Sequence, residues 1–382
     1  MSTTGQDPRA LQAWRELCAR LEALGEQVGH DGDGSAEPLE MLAHVADQTV
    51  NWLSWFVFHA DPTRPAWHRQ QDLVGRYGGP NADNSYRHVR LDPTRRYRIV
   101  GHMHGCDDWL LTLRTAFMHE QGTTLADITA SDLGFRRGEP FELVLGGADG
   151  IPIPEGVVLA TVREYYVDWR EEEPATFVVE CLDEPELAAP LTDAALADRL
   201  RTAQAAIEHS VPFWDQYMER GRASGPVNQF LPSHRGAKGL QLAQYLHLYW
   251  ALDADETLVI DTDVPAARYW SFQLYPMGTF EHLDLHERIT SLNLEQVALD
   301  DGRVRLAVGG TDPGWENWLD TGGRTAGLLI YRWFWPADDD ADPPAPRTEV
   351  VPTASLHGPV TVEQRREVMA QRRRHLAWRF RE

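Results

Sequence analysis

Three strand-like motifs occur twice in this chain in the same order. A chain that repeats its strand signals in order is constrained to fold as two related β units. WLLTLRTAF (109–117) precedes FELVLGGADG (141–150) and VREYYVDW (162–169), while YWSFQLYP (269–276) precedes VRLAVGGTDPG (304–314) and LLIYRWFW (328–335). Each is a short apolar run rich in β-branched and aromatic residues, and the middle motif of each set ends in Gly-Gly followed by a polar turn. The pattern predicts a mainly β chain with helical segments, built on two related antiparallel β-sandwiches over 75–185 and 240–352. A length of 382 residues suits that division, because single cores rarely grow so large.

Helical periodicity fills the rest. Apolar residues at helical spacing over 8–29 and 39–59 predict an N-terminal helical segment across 1–70. LTDAALADRLRTAQAAIEHSVPFWDQYMERGR, bounded by Pro190 and a Gly/Pro loop, predicts a helical connector over 190–235. A basic helix is expected over 361–382, where Arg365, Arg366, Arg372, Arg373, Arg374, Arg379 and Arg381 can pair with the protein's own acidic surface.

A formal net charge of −22 sets the surface against nucleic acid and anionic lipid. No stretch approaches the roughly 20 apolar residues of a membrane span. The N-terminus lacks the pattern of a secretory signal, so a cytoplasmic location is expected. Cys18, Cys106 and Cys181 lie far apart with no C-x-x-C spacing and read as packing residues. Lys238 is the sole lysine, which argues against Schiff-base chemistry. There is no G-x-S-x-G elbow, and neither glycine-rich stretch follows a strand and opens a helix, so no nucleotide cofactor is expected. The expected partner is a small-molecule substrate, and a homo-oligomer is compatible with the sequence.

The chemically densest segment is Thr311–Gly323, which holds Asp312, Glu316 and Asp320 with Trp315 and Trp318. Carboxylates beside indoles suit chemistry on sugar-like rings, where one acid protonates a leaving oxygen, a second activates water, and the indoles hold the ring. Asp320 and Asp312 are therefore the acid/base candidates, with Trp315, Trp318 and Trp270 as stacking walls and Asn317 and Arg332 orienting oxygens. The same residues also fit a structural loop in which Asp312 and Asn317 cap backbone amides.

Tyr269-Trp270-Ser271 with Tyr275, the Asp301-Gly302 turn, Asn317-Trp318-Leu319 and Arg332 before Pro336 make residues 267–336 resemble the C-terminal domain of the family catalogued as domain of unknown function twelve-fourteen. GRYGGPNADNSYRHVRLDPTRRYRIVG (75–101) is similar to an upstream segment of those proteins, with Asp83, Asn84 and Tyr86 matching and Ala82 standing in place of a proline. The resemblance implies jelly-roll-like sandwiches, adds Asp83 and Tyr86 to the substrate-binding set, and brings no settled activity. It also implies metal binding in some relatives. His102 and His104, alternating on a predicted strand, share a face and could reach one ion, whereas His282 and His286 on a strand stand too far apart.

These readings converge on an enzyme acting on a neutral ring-containing small molecule by carboxylate acid/base chemistry in an aromatic-lined cleft near the junction of the sandwiches. The ring could belong to a carbohydrate, a glycosylated metabolite or a terpenoid-like compound. Two alternatives stand beside it: a non-catalytic ligand-binding or assembly protein, and a metal-dependent enzyme using His102 and His104.

Overall fold

Short β-branched and aromatic runs punctuated by turns form strands where the repeated motifs place them, in a computed structural model describing residues 8–30, 38–69, 76–171, 173–183, 190–235, 243–337 and 344–379. The first β region holds β1 (Asn84–Arg90), β2 (Tyr97–His102), β3 (Trp109–Arg114), β4 (Thr124–Thr129), β5 (Pro140–Leu145), β6 (Leu159–Tyr165) and β7 (Thr176–Cys181). The second holds β8 (Ala243–Ala251), β9 (Glu256–Asp263), β10 (Ala267–Tyr275), β11 (Ser291–Asn293), β12 (Arg303–Gly309), β13 (Trp318–Asp320), β14 (Ala326–Pro336) and β15 (Arg347–Pro352).

Sheet order carries the duplication. The first sandwich pairs a β1-β6-β3-β4 sheet with a β5-β2-β7 sheet, and the second pairs β8-β14-β10-β11 with β13-β12-β9-β15. With β13 set aside, β8 stands for β1, β10 for β3, β14 for β6 and β15 for β7, and the neighbour order of both sheets is the same. Strand pairing is antiparallel except at β13, which runs parallel to β12. That exception corrects the all-antiparallel expectation, and β13 comes from within the Thr311–Gly323 segment.

Alternation then decides which side chains meet. Val89, Trp109, Leu111 and Val162 point into the first core; Leu248, Trp270, Phe272 and Leu329 point into the second. An ordinary sandwich sheet leaves its other face wet, but β3 and β6 are buried at every position, and β8, β10 and β14 nearly so. The reason is that the outer faces of the β1-β6-β3-β4 and β8-β14-β10-β11 sheets pack on each other: the Tyr165 ring lies 5.4 Å from Tyr269 and 5.5 Å from Phe334, in a cluster with Leu110 and Ala243.

Helices close the edge of this junction. α1 (Arg9–His30) presents Ala13, Leu17, Leu21 and Leu24 at helical spacing, and α3 (Asp193–Arg222) answers with Ala197, Leu200, Ile207 and Trp214. Asp193 accepts the backbone N–H groups of Arg9 and Ala10, so the head of α3 caps the first turn of α1. α2 (Pro38–Leu53) continues into a π-helical turn at Ser54–Phe58, and Trp52 donates to Ser210 on α3 at 2.8 Å. α4 (Val362–Arg379) lies against the second sandwich and the 81–84 segment. No helix among the described residues is long and apolar enough to cross a membrane.

Candidate functional site

The polar positions of the buried sheet faces meet the segment 76–84, which enters the junction before β1. Two glycines with positive φ, Gly78 and Gly79, turn the chain there. At Gly79 a Cβ would sit 2.3 Å from the Phe280 ring, so only glycine allows this approach. The segment is held by side chains of the second sandwich. Ala82 donates its N–H to Gln273 Oε1 at 2.8 Å, Tyr275 donates to the Pro80 carbonyl at 2.7 Å, and Asn81 donates its N–H to the Tyr86 hydroxyl at 2.8 Å. At Ala82, which stands in place of a proline, hydrogen bonds hold the turn.

Asp83 is the hub behind this segment. Fully buried, it accepts from Tyr269 at 2.6 Å, Trp169 Nε1 at 2.8 Å and Asn293 at 2.9 Å. Burial raises its carboxyl above the usual range, opposed by the Tyr269 bond and by Arg379 and Arg372 of α4. Gln273 continues the network by donating to Asn81 Oδ1 and Ser271, and Arg332 on β14 donates to the Tyr275 hydroxyl.

In front of the hub lies a cavity of about 320 Å³ between the β1-β6-β3-β4 and β8-β14-β10-β11 sheets, closed by α3 and the 76–84 segment. Its wall combines aromatic rings, among them Phe213, Trp214, Tyr217, Phe280 and Phe334, with the polar side chains of Asn81, Tyr86, Arg114, Arg163 and Arg332. Burial raises the phenols of Tyr165 and Tyr245 in this wall, which keeps them neutral donors. Burial, helped by His234 and Arg332, holds the His247 imidazole well below its ordinary value, so it is an uncharged proton acceptor at neutral pH. Arg114 is lowered to about 9 by burial and then by Arg163, with Asp127 acting the other way.

Residues 251–338 match the family model described as protein of unknown function, DUF1214. The matched region runs from the end of β8 through β14, so it includes Tyr269, Gln273, Tyr275 and Arg332. A solved structure of an uncharacterized protein from Burkholderia cenocepacia is similar over 90% of this chain and 98% of its own, at 26% identity and a TM-score of 0.81. A Vibrio parahaemolyticus structure covers 86% of this chain and 100% of its own at 12% identity and a TM-score of 0.47. Comparison with curated proteins returns no match.

The structure brings only part of the expected residue set to the cavity. Arg332 and Tyr86 line it, and Asp83 stands one layer behind. Trp270 points away, into the core of the second sandwich, because it alternates with the outward Tyr269 and Ser271. Asp312 accepts two bonds from Arg365 and the Gly314 N–H, and Asp320 accepts from Arg288 and the Gly322 N–H. Asn317 ties Ala298 and Arg305 carbonyls to its own loop, and Trp318 Nε1 donates to the Gly309 carbonyl. Trp315 carries the Arg305 guanidinium over its ring and lines a separate depression with Asn317 and His357. None of these loop residues is in the wall of the large cavity.

His102 ends β2, and His104 lies beyond it in a turn at φ 45°, which corrects the placement of both on one strand. Their rings still approach to 4.2 Å, His104 donating its N–H to His102 Nδ1, but no group of three or more metal-ligating side chains occurs among the described residues. His282 lies in irregular chain rather than a strand, half-buried with its ring stacked on Tyr275. Lys238 lies outside the described residues. Arg114, Arg163 and His247 were not singled out by sequence, where a charged residue alternating within a strand reads as solvent-facing.

Proposed function

We propose that this chain binds a small ring-containing organic molecule in the cavity between its two sandwiches. The observation that carries the reading is the cavity itself, of about 320 Å³, walled by aromatic rings and a few buried polar groups. Pockets that take small molecules share this size, concavity and distribution of polarity. The reading keeps the ring-shaped ligand expected from the tryptophan-rich sequence and moves it away from the Thr311–Gly323 loop. No carboxylate belongs to the cavity wall among the described residues, so ligand capture is favoured over acid/base chemistry by Asp312 and Asp320.

The test uses N-phenyl-1-naphthylamine, a neutral two-ring dye whose emission rises in apolar surroundings. Wild-type protein should bind it saturably with one site per chain. Met118→Trp, which places bulk at the cavity wall from a loop residue, should weaken that binding by about tenfold or more. Non-saturable binding, or binding untouched by Met118→Trp, would remove the cavity as the site.

A further inference from the structure

The charge of the cavity wall runs against the charge of the molecule, and this deepens the reading just given, on which it rests. In a chain of net charge −22, the wall contains Arg114, Arg163 and Arg332 and, among the described residues, no Asp or Glu. Arg163 is 7% exposed and donates to the Thr112 hydroxyl at 2.8 Å; Arg332 is 3% exposed and donates to the Tyr275 hydroxyl. Neither forms an ion pair among the described residues. Arg114 has Asp127 nearby, and Asp83 is engaged by Tyr269, Trp169 and Asn293 with Arg379 and Arg372 close behind. Neither acid therefore serves as the counterion of Arg163 or Arg332.

A buried cation without a countercharge is costly, and the cost is offset when an anion supplies both the charge and the acceptors. A second observation points the same way. Arg332 Nε and Asn81 Nδ2 are buried with no hydrogen-bond partner, while Asn81 Oδ1 already accepts from Gln273 Nε2. Asn84, also in the lining, leaves both Nδ2 and Oδ1 unfilled, so donors outnumber acceptors among the unfilled valences of a wall that also holds three guanidinium groups and the neutral phenols of Tyr165 and Tyr245. An acceptor-only group matches that set, and a planar guanidinium fork suits an oxyanion above other acceptors.

We propose that the ligand is an organic anion, a ring carrying a carboxylate, sulfonate or phosphate ester, with its oxyanion held by Arg163 and Arg332 and its ring against Trp214, Tyr217 and Phe280. This replaces the neutral substrate expected from the sequence. The site recognises the oxyanion by charge and donor geometry, and the aromatic rings of the wall supply the apolar contact that inorganic anions lack.

The experiment compares 8-anilinonaphthalene-1-sulfonate with N-phenyl-1-naphthylamine, which share one ring system and differ by the sulfonate. Wild-type protein should bind the sulfonate about tenfold or more tightly than the neutral dye. Arg332→Gln and Arg163→Gln should each weaken the sulfonate by about tenfold while changing the neutral dye by less than about twofold. Equal wild-type affinities, or variants that weaken both dyes alike, would overturn the anion assignment and leave the cavity reading standing. Loss of saturable binding of both dyes by wild type would instead end the cavity reading. Should an arginine variant fail to fold, competition on wild-type protein decides. Benzoate or phenyl phosphate should displace the sulfonate dye at about tenfold lower concentration than benzyl alcohol, and equal displacement by the neutral alcohol would overturn the proposal. Benzoate against phenyl phosphate tells a carboxylate from a phosphate ester.

Discussion

Asp320 and Arg163 show how far a single residue's role depends on what folds against it. In sequence Asp320 sits between indoles and a Gly-Gly hinge and looks reactive. In the fold its two oxygens accept the Gly322 N–H at 2.7 Å and Arg288 at 2.9 Å, which holds the exit from β13. Asp320→Asn keeps the size and the turn acceptor and loses the ion pair, whose Arg288 side is well exposed, so the expected cost is only about 1 kcal/mol. Dye binding in the cavity should be unchanged. Urea denaturation with a parallel dye titration checks this, and a stable Asp320→Asn protein that no longer binds dye would return Asp320 to the site. Arg163 is the converse case. TVREYY alternates as a strand with arginine on its polar side, and nothing in that local pattern says the polar side of one sandwich will be covered by the polar side of another. Arg332 was legible as an oxygen-orienting residue, and Tyr86 only through family resemblance. Arg114, Arg163 and His247 became site residues by long-range packing that no window of sequence reports.

The elements divide in the same way, and α4 holds both kinds of arginine. Arg365 pairs with Asp312, Arg366 with Glu363 and Arg373 with Glu287, as a basic helix on an acidic protein should. Arg372 and Arg379 are buried instead. Arg379 donates to the Ala82 carbonyl at 2.6 Å and to His375 Nε2, and it lies over the Tyr166 and Trp169 rings. The helix therefore fastens the segment that floors the cavity, which its arginine count alone could not show. Arg379→Met should cost about 2–4 kcal/mol by leaving a buried carbonyl and the Asp83 hub without their cation. Arg366→Met, on a surface pair, should cost under about 0.5 kcal/mol. Urea midpoints of the two variants test the contrast, and equal midpoints would mean that α4 is attached by its surface pairs alone. The strands were more legible than the helix contacts. β3, β5 and β6 and their counterparts β10, β12 and β14 were readable because their apolar runs are local signals, whereas β13 is three residues long and parallel, too short to leave a period.

Across the whole molecule, packing buries histidines that must stay neutral, His68 against Trp55, His375 on α4 against Trp169 and His247 between the sandwiches, and this gives stability a pH dependence of definite sign. His68 is lowered to about 3, chiefly by burial against Trp55, and His375 to about 2, by burial and then Arg379. Burial also holds His247 and His282 well below the ordinary value. In the unfolded chain each titrates near 6.5, so between there and its folded value the unfolded state binds the extra proton. Their contribution is complete above about pH 6.5 and is lost as the pH falls, at up to about 1.4 kcal/mol per pH unit for each histidine. Asp83 acts in the opposite sense. Its folded pKa is raised, so its contribution is present below the unfolded value of 3.8 and is lost as the pH rises through the folded one. Ordinary carboxylates are ionised in both states above about pH 5.5, which leaves pH 7.5 to 5.5 as the window in which the histidines dominate. Urea unfolding across that window should show stability falling toward acid with uptake of about two or more protons on unfolding. His68→Phe, which keeps an aromatic ring on Trp55, should flatten the dependence by up to one proton. A stability that is level from pH 7.5 to 5.5 would mean that these imidazoles reach water in the folded protein.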